Sequence, residues 1–266
     1  MDKLYDYTLG QMIEIMAEKP PDHEAVKYTE RDYRRTYKEF DEETDLYAKG
    51  LLGIGLKKGD HLAVWMTNYP EWLIALFAAA KIGIVLITVN TNYRIHETEY
   101  ILRQSDANCL IICDGLKDID SGDIMYKLCP ELATSDFENF KSDRLPCLKF
   151  VISVDSDKPG MLRFEDLKKY ASKISDEQLK EVKNSLNCHE TINMQYTSGT
   201  TGFPKGVMLS HYNILNNGMT IGDNMLFTHK DRLLICVPFF HCFGLVLAIL
   251  ACVTHGSTMV PLLYYN

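Results

Sequence analysis

The chain has 266 residues, of which 46% are hydrophobic and 24% charged, proportions that are ordinary for a globular protein. Its formal net charge of -8 argues against a nucleic-acid partner, because duplex binding requires a basic surface that displaces counterions from the phosphates. The eight cysteines form no CxxC pair and no spacing typical of metal ligands, which indicates reduced thiols in a reducing compartment. The N-terminal stretch MDKLYDYTLG contains no apolar signal core, so we expect a cytoplasmic protein.

Capping residues predict the first two helices. Thr8 precedes an apolar stripe at helical spacing, and a short strand is expected over Ala25–Tyr28. Thr36 and Glu39 have the spacing of a capping box, in which each side chain satisfies a free backbone N–H of the other residue. The second helix carries the charge run Asp41–Asp45, which we interpret as a solvated face.

From His61 onward, almost wholly apolar runs alternate with amphipathic ones, a pattern that indicates a parallel sheet covered by helices on both faces. The polar stretch Gly115–Leu145 allows no assignment. The predicted strands are His61–Trp65, Ile84–Val89, Cys109–Cys113 and Leu148–Val154, and the predicted helices are Pro70–Lys81, Ile95–Gln104 and Phe164–Ala171.

Two apolar stretches resemble membrane spans in length, Leu73–Val89 and Leu233–Val253. The first is interrupted by a lysine and a glycine, and the second by a proline, a histidine and a glycine. Each is better explained as two shorter buried elements, so we expect no membrane span.

The predicted fold class is α/β, with two subdomains whose largely parallel sheets are covered by helices. Residues 60–224 are expected to form one subdomain, and residues 1–55 together with 230–266 the other, which we expect to be incomplete. A ligand site is expected between the two, because clefts at domain interfaces are the usual location of such sites.

The sequence TSGTTGFPKG, from Thr197 to Gly206, has the composition of a phosphate-binding loop. It lies between two predicted strands, Thr191–Tyr196 and Val207–Leu209, and Ser210 then caps a helix. Its glycines allow backbone N–H groups to approach a ligand closely, its hydroxyls donate hydrogen bonds, and Lys205 adds a cation for phosphate oxygens. A Walker A loop is excluded, because that motif needs GK[ST] directly before a helix.

Two motifs identify a resemblance to the adenylate-forming superfamily, which includes the acyl-CoA synthetases. YTSGTTGFPKG, Tyr196–Gly206, resembles the signature loop of that superfamily, and VPFFHCFG, Val237–Gly244, resembles its Pro-x-Phe-His-x-x-Gly segment. The segments NTNYRIHETEY and SHYNILNN look closest to the medium- and long-chain fatty acyl-CoA synthetases. In such enzymes a fatty carboxylate attacks ATP to give an acyl-adenylate and pyrophosphate, and coenzyme A then displaces AMP.

The resemblance implies roles for particular residues of this chain. The β- and γ-phosphates of ATP would contact Lys205 and the loop residues Thr197, Ser198, Gly199, Thr200, Thr201 and Gly202. Thr197 would help to hold Mg²⁺. Phe240, His241 and Gly244 would border the reacting carboxylate and the mouth of the acyl site, with Lys205 and His241 as the catalytic residues. From the residues alone, the preferred interpretation of His241 is a core histidine with satisfied hydrogen bonds in an apolar run.

The resemblance also implies that segments for adenine, ribose and a catalytic lysine follow the motifs found here, so we expect this chain alone to be inactive. With them missing, we expect an exposed apolar face over Leu245–Val260 and self-association. Two alternatives stay open: a nucleotide-binding module that does no chemistry, and an adenylating ligase for another carboxylic acid.

Overall fold

The computed structural model of the protein describes residues 4–19, 23–115, 119–197 and 204–264. The strands are β1 (Glu24–Lys27), β2 (Arg34–Thr36), β3 (His61–Trp65), β4 (Val85–Thr88), β5 (Cys109–Ile112), β6 (Phe150–Ser153), β7 (Leu162–Arg163), β8 (Thr191–Thr197), β9 (Lys205–Ser210), β10 (Arg232–Ile235) and β11 (Thr258–Pro261). The helices are α1 (Leu9–Ala17), α2 (Tyr37–Gly53), α3 (Pro70–Lys81), α4 (Ile95–Gln104), α5 (Ser121–Leu128), α6 (Leu167–Ala171), α7 (Asp176–Asn184), α8 (His211–Asn224), α9 (Cys242–Gly244) and α10 (Ala251–His255).

The larger sheet has seven strands in the order β7-β6-β5-β3-β4-β8-β9. Its neighbouring strands are parallel except for β9, which is antiparallel to β8. Because the chain runs from β3 to β4 and then crosses back to β5, five of the strands have the doubly wound order of a flavodoxin-like sheet. The predicted α/β class is confirmed.

The smaller sheet has four strands in the order β10-β11-β1-β2. β1 is parallel to β11, and β10 is parallel to β11, whereas β1 and β2 are antiparallel. The helix that follows this N-terminal pair, α2, packs beside the larger sheet, where the ring of Phe40 lies 5.6 Å from that of Phe77 on α3. The predicted division of the chain into subdomains stays a prediction.

Local signals account for the helix boundaries. α3 and α4 have the predicted bounds, and α3 begins at Pro70, whose fixed φ and missing N–H suit the first turn. Capping boxes are present where Thr8, Thr36 and Ser210 predicted helix starts. β3 has the predicted bounds, whereas β4, β5 and β6 are two, one and three residues shorter than the predicted strands.

The interpretation of the Asp41–Asp45 run as a solvated face is wrong. Lys81 on α3 is fully buried, and its ammonium donates to the carboxylates of Asp41 at 2.6 Å and Asp45 at 2.5 Å. Asp45 also accepts from Lys183 of α7. A buried ammonium requires such partners, because removing an unpaired charge from water is very costly. The charge run therefore joins α2 to α3 and α7.

Two further expectations are corrected. The unassigned stretch Gly115–Leu145 contains α5, followed by 3₁₀ segments at Pro130–Thr134 and Phe137–Asn139. The face expected to be exposed over Leu245–Val260 is largely buried, because this segment packs against α8 and α1. Exposed apolar side chains lie instead at Leu234, which is 57% exposed, and Phe243, which is 53% exposed.

The stretch Leu233–Val253 divides into separate elements, as predicted. β10 ends at Ile235, a turn follows, and a π-helical segment Leu245–Leu250 connects α9 to α10. Among the helices of the described ranges, none combines the length and apolar character that a bilayer crossing requires.

Candidate functional site

The two ends of the predicted phosphate loop are held in an antiparallel hairpin. β8 pairs with β9 so that Thr197 lies opposite Lys205, and both residues are exposed. Lys205 is therefore the first residue of a strand rather than part of a free loop. The other predicted loop residues, Ser198, Gly199, Thr200, Thr201 and Gly202, lie outside the described residues.

Helix α4 fixes the base of this hairpin. The Tyr100 hydroxyl donates to the carbonyl oxygen of Pro204 at 3.0 Å, and the Tyr196 hydroxyl donates to Gln104. Tyr100 and Gln104 are four residues apart, so they share one helical face. Burial raises the pKa of Tyr196 to about 12, which keeps its hydroxyl a donor at neutral pH.

The sequence analysis did not identify either contact from α4. The signal available was the spacing of Tyr100 and Gln104, which places two polar side chains on one face of a helix next to the sheet. The structure explains why residue 206 is a glycine: a Cβ atom there would lie 3.0 Å from the Met194 sulfur and 3.2 Å from the Tyr196 ring. The hairpin is thus closely packed on the side of β8.

The hairpin opens at the carboxyl edge of the larger sheet. β3, β4 and β8 are successive parallel neighbours, so the last residues of β3 and β8 lie about 10 Å apart on the same edge. Ligands of open α/β sheets bind in the crevice outside the carboxyl ends of the strands. Asn68 and Thr197 mark this edge on either side of β4.

Asn68 brings the second motif to the same edge. Its side-chain amide donates to the carbonyl oxygen of Val237 at 3.0 Å and accepts from the N–H of Phe239 at 2.9 Å. Phe239 is fully buried and packs on Trp72, with 5.4 Å between ring centroids. Asn68 was also missed from the sequence, although a polar residue just after an apolar strand is a signal for this edge.

His241 lies at the N-terminus of α9 and is exposed, so its interpretation as a core histidine is wrong. Its Nδ1 accepts from the backbone N–H of Phe243 at 3.1 Å, and the neutral ring therefore carries its proton on Nε2. Among the described residues, Nε2 makes no hydrogen bond, so it can donate one to a ligand. This geometry suits a carboxylate or phosphate oxygen.

Cys242 does not form a catalytic pair with His241. The two residues lie at the start of a helix, where His241 is the N-cap of α9 and Cys242 is its first residue. The Cys242 sulfur lies 3.8 Å from Nδ1 of His241, but that nitrogen already accepts from Phe243. The thiol has only a weak contact with an occupied acceptor.

Gly244 is required by the fold of the turn. A methyl group at this position would lie 2.2 Å from the carbonyl oxygen of Pro238 and 3.0 Å from the Cα atom of Phe239. The chain therefore reverses so tightly that only glycine fits, and this accounts physically for the glycine of the Pro-x-Phe-His-x-x-Gly segment. Phe240 in the same turn is half-buried.

An apolar groove of about 440 Å³ begins at this turn. Its walls come from the end of α8, from β10 and from the π-helical segment, and Phe243 and Val237 join it to the turn that carries His241. Asn224 is the one residue of its lining with a polar side-chain amide. A volume within the usual ~300–1,000 Å³ of ligand pockets and an apolar lining suit an aliphatic chain.

The predicted site residues thus fall into two groups. Thr197 and Lys205 face each other at the hairpin, and Phe240, His241 and Gly244 share one turn. Within the described part of the chain, no hydrogen bond or ion pair joins the two groups, and their common location at the sheet edge is what relates them.

A magnesium ion would find one oxygen ligand at the hairpin. Mg²⁺ takes six oxygen ligands and commonly keeps waters and substrate phosphates among them. The exposed Thr197 hydroxyl fits one such position. The described ranges contain two groups of three metal-ligating side chains, and neither includes a hairpin residue.

The fold and the two motifs define a doubly wound α/β protein with its candidate ligand site at the carboxyl edge of the larger sheet. The AMP-binding enzyme family matches residues 13–263. The chain belongs to that family.

Individual proteins agree with this assignment. YngI of Bacillus subtilis (strain 168) is 48% identical over 262 residues, which are 98% of this chain and 48% of YngI. The medium-chain acyl-CoA ligase ACSF2, mitochondrial, of Danio rerio is 38% identical over 259 residues, which are 97% of this chain and 43% of ACSF2. The chain spans about half the length of the curated relatives it matches.

The solved structure of apo MbtA from Mycobacterium smegmatis is similar in fold. It has a TM-score of 0.79 at 24% identity, and the match covers 97% of this chain and 44% of MbtA. At this identity the likeness concerns the fold alone.

Proposed function

We propose that the protein is an ATP-dependent acyl-CoA ligase for a fatty acid. In the first half-reaction a carboxylate oxygen attacks the α-phosphorus of ATP, and the bond to pyrophosphate breaks to leave acyl-AMP. In the second, the sulfur of coenzyme A attacks the acyl carbonyl carbon, the thiol proton is lost and AMP leaves. Membership of the AMP-binding enzyme family carries the proposal, and the similarity to ACSF2 supports the thioester product.

The hairpin binds the β- and γ-phosphates in this proposal. Thr197–Gly202 provides hydroxyl and backbone N–H donors, and Lys205 provides a positive charge from the opposite strand of the hairpin. Negative charge grows on pyrophosphate as its bond to the α-phosphorus breaks, so preorganised donors stabilise the transition state more than bound ATP. Thr197 would help to hold Mg²⁺ together with the phosphates, and the ion would supply further positive charge against the same oxygens.

The turn at Phe240, His241 and Gly244 receives the carboxylate end of the acid. The free Nε2–H of His241 donates to a carboxylate oxygen, while Gly244 sets the tight turn that presents the ring. The apolar groove that continues from Phe243 takes the alkyl chain. Its lining disfavours a charged acid and supports the fatty acid over other carboxylic acids.

Two finer points belong to the same proposal. Coenzyme A acts only as the second substrate, and ATP and the acid bind first. The compartment is proposed to be the cytoplasm, although ACSF2 is named as mitochondrial. A nucleotide-binding module without chemistry remains the alternative, and it predicts ATP binding with no acid-dependent release of pyrophosphate.

The decisive experiment separates the two half-reactions in the protein at the length of its relatives. Lys205→Ala is expected to slow acyl-adenylate formation by on the order of 10²-fold, as for the loss of one preorganised donor. Thioester formation from supplied acyl-AMP should change far less, because pyrophosphate has already left. Lys205→Arg should recover part of the rate, since its planar fork does not mimic a point ammonium.

Lys230→Ala is the matched control, because it removes another exposed lysine outside the hairpin. Equal loss in both half-reactions, or none in adenylation, would show that Lys205 is structural. For this chain by itself, the absence of turnover stays a prediction, which is tested by acid-dependent AMP release.

A further inference from the structure

Three metal-ligating side chains that belong to neither motif meet on the surface of the protein. Asp6 lies in the N-terminal segment, and Cys188 and His189 lie in the turn before β8. The carboxylate, thiol and imidazole ligand atoms are all within 4.8 Å of one another. Their separation along the sequence explains why cysteine spacing alone did not predict a ligand cluster.

The fold itself holds the two segments together through α8. The backbone of Tyr5 is paired with the side chain of Asn216, with an N–H donating at 2.7 Å and a carbonyl accepting at 3.0 Å. The carbonyl oxygen of Cys188 accepts from the N–H of Tyr212 at 2.8 Å. Both segments are thus fixed to the first two turns of the same helix, so the three side chains are brought together before any ion binds.

The ligand atoms are available. Asp6 and His189 are exposed and Cys188 is half-buried. Among the residues that the structure describes, the three side chains make no hydrogen bond or ion pair. The His189 ring packs at 4.8 Å from the ring of Tyr212, and its backbone N–H donates to Asn187 at 2.8 Å, which restricts the ring without occupying its nitrogens.

We propose that Asp6, Cys188 and His189 form a zinc-binding site. A thiolate, an imidazole nitrogen and a carboxylate oxygen are the ligand types that Zn²⁺ takes, whereas Mg²⁺ and Ca²⁺ prefer oxygen alone. The three supply three tetrahedral positions, and water fills the fourth. Binding forms the zinc–sulfur bond and releases the Cys188 thiol proton to solvent. Ligand atoms on one tetrahedral zinc are about 3.5 Å apart, so small side-chain rotations suffice.

The second cluster with metal-ligand geometry differs because its carboxylates are already paired with lysines. Glu14, Asp41 and Asp45 also lie within reach of one ion. There, however, Lys81 contacts both aspartates, and Lys183 contacts Glu14 at 2.8 Å and Asp45 at 2.6 Å. Two ammonium groups already neutralise these carboxylates. Only the Asp6, Cys188 and His189 cluster combines a soft ligand with unpaired side chains in the described ranges.

The test titrates the untagged chain with Co²⁺, which replaces zinc and gives a sulfur-to-cobalt charge-transfer absorption when a thiolate binds. We expect this absorption in the wild type, its loss in Cys188→Ser, and its displacement by Zn²⁺. Asp6→Ala and His189→Ala should each weaken binding by at least ~10-fold. Cys147→Ser is the matched control, because Cys147 is a half-buried cysteine whose neighbour Asp106 offers a carboxylate.

A second readout identifies the sulfur directly. Zn²⁺ should protect Cys188 from alkylation in a mass-spectrometric assay and leave Cys147 reactive. No thiolate absorption, an absorption that survives Cys188→Ser, or equal loss in Cys147→Ser would overturn the proposal. If Cys188→Ser fails to fold, the surface variant Asp6→Ala decides, and unchanged affinity in that variant refutes the three-ligand site.

Discussion

His211 makes the stability of this protein sensitive to mild acid. It is the first residue of α8 and is fully buried. Burial lowers the pKa of its imidazole from 6.5 to about 4, against a smaller opposing effect of Glu190. Its Nδ1 accepts from the backbone N–H of Leu9 at 3.1 Å, so the folded state requires a neutral ring. Protonation would leave a buried charge on the contact that joins α1 to α8.

The pH dependence of the free energy of unfolding follows from the difference between the folded and unfolded pKa of His211. The folded-state pKa is below the unfolded value, so the unfolded chain binds the proton first as the pH falls below ~6.5. The contribution is fully present above the unfolded pKa and is lost as the pH falls towards the folded pKa. The full difference corresponds to about 3 kcal/mol, of which about 2 kcal/mol is lost by pH 5.

Urea unfolding between pH 7.5 and pH 4.5 measures this contribution when the wild type is compared with His211→Asn. The asparagine side-chain oxygen can still accept from Leu9, but it does not titrate. The free energies of unfolding should differ by a constant amount above about pH 7, and the wild type should then lose about 2 kcal/mol relative to the variant by pH 5. Acid effects of other groups cancel in the comparison. Parallel curves over the whole range would refute the reasoning.

Two further substitutions test contacts that the structure adds to the sequence. Lys81→Met should lower the free energy of unfolding by about 1–3 kcal/mol in urea titrations, because it removes the ammonium partner of Asp41 and one of the two ammonium partners of Asp45. Adding Asp41→Asn should restore part of that loss, and a double variant no more stable than the single one would contradict the pairing. Gly244→Ala should cost about 1–3 kcal/mol in the same assay, since its methyl group would overlap the Pro238 carbonyl. Wild-type stability in that variant would show that the turn is looser than described.

Much of the larger sheet could be predicted because its signals are local. An apolar run such as His61–Trp65 is too short for a helix, and Pro70 marks the start of the next element by its own geometry. Capping residues add boundaries that need no tertiary information. The residues that determine these strands and helices lie within the elements or directly beside them.

The prediction for the charge run Asp41–Asp45 was wrong because the contacts that decide its environment are distant in the sequence. On a single helix its carboxylates have the pattern of a solvated face. Lys81, the buried residue with which Asp41 and Asp45 pair, is 36 to 40 positions away. Lys81 itself ends an apolar helix, where a lysine normally extends to solvent. Nothing within either helix indicates that the two will pack with their charges inward.

In the candidate site, too, some residues could be predicted from nearby sequence and others depend on distant contacts. Thr197, Lys205 and His241 are recognisable from motifs, whereas the residues that hold them, Tyr100 and Asn68, have no motif of their own. Each makes its contact across more than a hundred residues of chain. Supporting residues of this kind become identifiable only when the strand order is known.

Asn68 shows why the two motifs need the whole fold to act together. The hairpin belongs to the larger sheet, while the turn at Pro238 follows β10 of the smaller one. Neither motif determines how the two sheets meet. Asn68, just after β3, connects the two sheets. Its side-chain amide bonds to the backbone of the residues before and after Pro238, and its backbone carbonyl accepts from the hydroxyl of Tyr28, just after β1. One residue thus fixes the turn relative to both sheets, and the distance between the turn and the hairpin depends on a residue outside either motif.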